Sequence, residues 1–160
     1  MNLFETKNTW TPLLLRTSLS IVLWPHGAQK LLGWFGGFGF QGIMNFFTSM
    51  KGLPWIIGFL VVVIEFFGSL FLLLGLATRL WSGLMIILFI GIAWSSHLQN
   101  GFFMNWNGNQ KGEGIEYFLL AIGIAASLVV TGGGKYALDS FIARSQTNSD
   151  PVRNKMAEFV

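Results

Sequence analysis

One run, from Pro12 to Leu32, constrains this chain more than any other stretch. A hydrocarbon core of ~30 Å takes ~20 helical residues, so the run is long enough to cross a bilayer. Yet it carries Arg16, His26 and Lys30. An ionisable group near the middle of a membrane costs at least ~2.5–3.5 kcal/mol unless protein surrounds it. On a helix, Arg16, Leu19, Leu23, His26 and Lys30 follow steps of three and four. That spacing predicts one stripe turned toward protein, with partners supplied by other helices.

The rest of the chain supplies those helices. Only 11% of residues are charged and 52% are hydrophobic, against about 25% charged in a soluble domain. Four spans are expected, at about 12–33, 54–76, 80–98 and 115–131. They predict an all-α, four-helix transmembrane bundle in a single membrane domain covering 1–144. Residues 145–160 are polar and read as a mobile tail. Short interfacial helices are expected at about 41–51 and 135–143. Pro25 predicts a kink beside His26, because proline cannot donate to the carbonyl four residues back. The N-terminal run is interrupted by Arg16, which argues against a signal peptide.

Cysteine is absent, so thiol chemistry and cysteine-bound metal clusters are excluded. Gly37, Gly39 and Gly42 match G-x-G-x-x-G by spacing, but they follow a membrane helix and not a strand. Gly132 to Lys135 lacks the full phosphate-loop spacing and reads as a helix stop. No close histidine pair supports a metal site, and nothing points to nucleic acid.

Counting rise along each span predicts which groups meet. His26, Lys30, His97, Glu113 and Glu116 fall at ~21–27 Å from the end that bears the termini, and Glu65 at ~16 Å. The first five are expected to converge on the outer half as a site for a ligand or proton. Imidazole and ammonium groups donate to a carbonyl oxygen, and carboxylates exchange protons. Trp34 and Phe35 would form an aromatic mouth, which suits a flat quinone head group. Arg16, Glu65 and Arg79 are expected as buried polar support. The alternative is a polar network that only glues helices together. Lys7, Arg79, Lys135, Arg144, Arg153 and Lys155 fall on the side of the termini, and Lys51 and Lys111 opposite. The positive-inside rule then puts both termini in the cytoplasm.

The order of Arg16, HGAQK at 26–30, GWFGGFG at 33–39, EFFGSLFLLLGLATR at 65–79, HLQNGFF at 97–103, GEGIE at 112–116 and GGGKYALD at 132–139 resembles the DoxX family. The resemblance implies a multi-pass protein of the bacterial inner membrane. It further implies kinship with a DoxD-type subunit of a thiosulfate:quinone oxidoreductase and with membrane-bound redox complexes. The expected role is an accessory subunit of a quinone-linked oxidoreductase assembly, with no intrinsic cofactor beyond a bound quinone and with lipid and protein partners. A non-catalytic anchor or assembly partner and a small proton-coupled transporter are the alternatives.

Overall fold

The computed structural model describes residues 3–148, which are all-helical with no strand. Helix α1 spans Trp10–Leu31. Pro12 falls in its first turn, where the missing N–H has no intrahelical partner to lose. The helix continues unbroken through Pro25 and stops where Gly33 takes a left-handed φ of 74°. Helix α2 covers Gly39–Asn45 and extends through a π turn, Phe46–Met50, in the place expected for an interfacial helix.

Helix α3, Trp55–Leu74, contains a π turn at Ile64–Gly68. It ends at Gly75, whose φ of 69° suits glycine. Helix α4, Thr78–Asn100, passes through a π turn at Ala93–His97 and closes in a 3-10 turn. Helix α5 spans Glu116–Thr131 and α6 spans Leu138–Asn148. Thus α6 starts later than expected and includes the first residues assigned to the tail; the remainder of that tail, 149–160, lies outside the described residues.

Helices α1, α3, α4 and α5 surround one apolar core. Leu19 and Leu23 come from α1, Leu72 from α3, Met85 and Phe89 from α4, and Phe118, Ala121, Ala125 and Leu128 from α5. Helix α1 packs against α3 and α5, and α4 packs against the same two. Contacts fix the directions. Arg16 reaches the carbonyls of Leu72 and Leu73, whereas Gly27 lies against Glu65 and Phe66, so α1 and α3 are antiparallel. The start of α1, the α3–α4 turn and the end of α5 therefore share one end of the molecule.

The outside is apolar. Ile21, Leu60, Leu73, Ile87, Ile90, Leu120 and Val130 are all exposed. Helices α3 and α4 are each long and apolar enough to cross a membrane, with mean hydropathies of 2.6 and 1.5. Only 33% and 22% of their apolar windows are buried, unlike the core helices of a soluble domain. Helix α5 is apolar but shorter, at 16 residues. Trp10 and Tyr136 meet edge to face at one end, and Lys135 lies 4.2 Å from the Trp10 ring centroid. Trp34, Phe35, Phe38, Phe102, Phe103 and Trp106 are exposed at the other. Aromatic rings at both ends are the pattern of a membrane belt.

Candidate functional site

The centre of the polar interior is an ion pair between Lys30 of α1 and Glu65 of α3, with Nζ and Oε2 2.5 Å apart. Glu65 is buried and the Lys30 side chain is 21% exposed. Three local features bring them together. Gly27 lets the backbones touch: a Cβ there would stand 2.5 Å from the Phe66 nitrogen. Lys30 sits less than one turn further, and helical side chains lean back toward their own N-terminus, so its ammonium descends to the Glu65 level. Glu65 lies within the π turn of α3, a local widening often found where a side chain has to be re-aimed.

This pairing corrects the expected depths. Counting Cα rise alone put Lys30 ~11 Å above Glu65 and grouped it with the outer-half residues. It omitted the backward lean of a long side chain and the close approach at Gly27. Ser69 donates to the Glu65 carbonyl at 2.6 Å, one turn along α3. Trp24 packs against Phe66 and Trp34, each at 6.0 Å between ring centroids.

The other expected members do not join this pair. His26 is exposed and off the buried stripe. Ten residues beyond Arg16, it lies about 80° round the helix, and Gly27 holds the inward position. His97, near the end of α4, faces the following loop. Its Nδ1 bonds to the Glu113 carbonyl at 2.9 Å, and its ring packs on Phe118 at 4.6 Å. A carbonyl only accepts, so Nδ1 carries the hydrogen. Glu113 Oε2 accepts from the Asn105 amide at 2.5 Å, and Glu116 Oε1 accepts from the Met104 amide at 2.8 Å. These two carboxylates brace the 101–115 loop. His97 and Glu113 therefore meet, with Glu116 holding the same loop, and among the described residues no hydrogen bond or ion pair joins them to Lys30 or His26.

Arg16 does not extend toward Glu65. It donates to the carbonyls of Gly133 (2.9 Å), Leu72 (3.3 Å), Leu73 and Lys135 (3.2 Å). Arg79 likewise donates to Glu5 and Val129 carbonyls at 3.0 and 2.5 Å. Both hold chain segments together at the end that carries the start of α1. Trp34 and Phe35 are exposed, and the Phe35 carbonyl accepts from Gln29 at 3.3 Å. Gly37 seats that loop on α1, since a Cβ there would lie 2.3 Å from the Gln29 oxygen.

Sequence reasoning missed Asp139. It is buried, and its carboxylate accepts from the Ala77 and Thr78 amides at 2.6 and 2.9 Å. It therefore caps α4 from a segment some sixty residues downstream. The clue in the sequence was a lone acid four residues after a lysine that follows three glycines, and the capped helix was too distant in sequence to suggest it.

The DoxX family model matches residues 11–98. The chain belongs to the DoxX family. The matched stretch holds Arg16, Lys30, Glu65, Arg79 and His97, whereas Glu113, Glu116 and Asp139 lie beyond it. A Bacillus subtilis (strain 168) protein described as "Putative oxidoreductase CatD" is 31% identical over 138 residues, covering 86% of this chain and 91% of that protein. No solved structure matches the chain. As a DoxX protein with two apolar, outward-facing helices, it is a membrane protein.

Proposed function

We propose that this DoxX protein is a membrane subunit of a quinone-linked oxidoreductase assembly, with the Lys30–Glu65 pair at its ligand site. In this reading the protein is a four-helix bundle spanning the bacterial inner membrane, with both termini in the cytoplasm. The observation that carries it is the ion pair itself. Charged groups on membrane helices mark ligand or proton sites more often than not, and this pair is sealed on the Glu65 side and partly open at Lys30.

The donor set fits a quinone head group. The Lys30 ammonium donates to a ring carbonyl while Glu65 holds or releases a proton. Trp24, Trp34 and Phe66 offer ring faces next to the pair. A quinone, when bound, would supply the two-electron chemistry; the electrons would come from a partner, because a chain without cysteine holds no dithiol or cysteine-bound cluster to supply a pair. The similarity to a protein named as an oxidoreductase supports this direction.

The test is quinone content. Protein purified in native lipid discs is extracted and assayed for quinone, alongside the K30M and E65Q variants. The expected result is quinone in the wild type and its loss in both variants, with helical content unchanged. Wild type without quinone, but bringing down a soluble oxidoreductase, would overturn the site and leave an anchor. Quinone retained in both variants would move the site elsewhere.

A further inference from the structure

Among the described residues, three deeply buried hydroxyls have no hydrogen-bond partner: those of Ser20, Thr78 and Ser82. Each belongs to a residue at most 1% exposed. Buried polar groups are paired in the great majority of cases, with protein or with ordered water. A serine in a helix usually satisfies itself on the carbonyl one turn back, as Ser127 and Thr131 do on α5. Ser20 and Ser82 do not, so their partner is something else.

Their register places them in sequence along the interior. Thr78 begins α4, and Ser82 stands one turn above it, at ~6 Å. Ser69 is ~9 Å above Gly75 on α3, and Glu65 is ~15 Å above it. Ser20 is seven residues, ~10 Å, below Gly27, whose partners on α3 are Glu65 and Phe66, so Ser20 falls close to the Leu72 level, between Ser69 and Thr78. It also shares the face of Gly27, seven residues on, which is the face packed on α3. Ser69 gives its proton to the Glu65 and Phe66 carbonyls and keeps lone pairs to accept another. Below Thr78 lies the buried Asp139 carboxylate, on the Thr78 amide. Polar groups therefore recur at each turn between Glu65 and Asp139, beside the buried Arg16 guanidinium at the lower end.

We propose that water occupies this interior, bonded to Ser20, Ser82 and Thr78, and forms a hydrated file between Glu65 and the Thr78–Asp139 end. A proton moves along such a file by exchange between neighbouring waters, with Glu65 taking it up or releasing it at the top. The presence of the water stands apart from the quinone reading; its service as the proton supply of a quinone site rests on that reading.

The experiment is water-edited solid-state NMR on the full chain in lipid bilayers, following magnetisation transfer from water to side chains. Leu72 and Leu128 are fully buried and serve as dry references. Transfer to Ser20, Ser82 and Thr78 is expected to build up several-fold faster than to those leucines. In S82A the transfer to Thr78 and Ser20 slows, because a methyl group interrupts the file. Serine and threonine signals as slow as the leucines in the wild type would overturn the proposal. Quinone content measured on S82A separates the two readings: the file is broken while the bound quinone is retained.

Discussion

Gly27 and Lys30 lie less than one turn apart on α1 and act on the same target in different ways. Gly27 supplies closeness and Lys30 supplies charge, both against Glu65. Removing one member of a buried pair leaves the other uncompensated, at a cost of about 3–5 kcal/mol. K30M is therefore expected to lower the thermal midpoint more than the K30M/E65Q double variant, which removes both charges. A double-mutant cycle on unfolding in detergent measures this, and additive losses would show that the two groups do not couple. G27A tests the contact. Its Cβ would press on the α3 backbone, which cannot yield as a side chain can, so a loss of about 1–3 kcal/mol is expected. H26A at the exposed neighbouring position should change stability by less than about 0.5 kcal/mol, read by the same melt.

At the scale of elements, the charges that do not pair with one another pair with backbone, and this explains how much could be read from sequence. Each apolar run became a helix, because length and hydropathy act locally and no tertiary contact overrides them. The partners of Arg16, Arg79 and Asp139 were illegible, because carbonyls and amides are present at every residue and carry no side-chain signature. His26 was misplaced on the stripe because steps of three and four drift around the helix when they are chained. The π turns at Ile64–Gly68 and Ala93–His97 were invisible for a related reason: each adds one residue to a turn, and no particular residue type is required for it. Asp139 gives the sharpest test at this scale. It holds two amides at the start of α4 and joins that start to α6. D139A should cost about 2 kcal/mol, as strong caps do, and hydrogen exchange should rise first at Ala77 and Thr78. D139N, which keeps one acceptor for two donors, should fall between. Uniform protection across α4 in D139A would show that the cap is not what holds this end.

For the molecule as a whole, the question is which end faces the cytoplasm, and the distribution of charge argues for one answer. One end carries Lys7, Arg79 and Lys135, and the opposite loops carry Lys51 and Lys111 among the described residues. The balance is uneven, and Arg79 is buried on carbonyls, so the exposed contrast is narrower than the count suggests. The exposed aromatic residues do not break the tie, because both ends have them. The expectation of cytoplasmic termini therefore rests on Lys7 and Lys135 together with Arg144, Arg153 and Lys155 in sequence beyond α5. The absence of cysteine makes a direct measurement clean, since every introduced thiol is the sole label. Single replacements K7C and K135C should react with a membrane-impermeant maleimide only after cells are opened. K51C and K111C should react on intact spheroplasts. If K111C were protected and K7C labelled from outside, the termini would lie outside, and the Thr78–Asp139 end of the proposed water file would open away from the cytoplasm. The same four proteins thus fix both the topology and the side from which Glu65 would draw its protons.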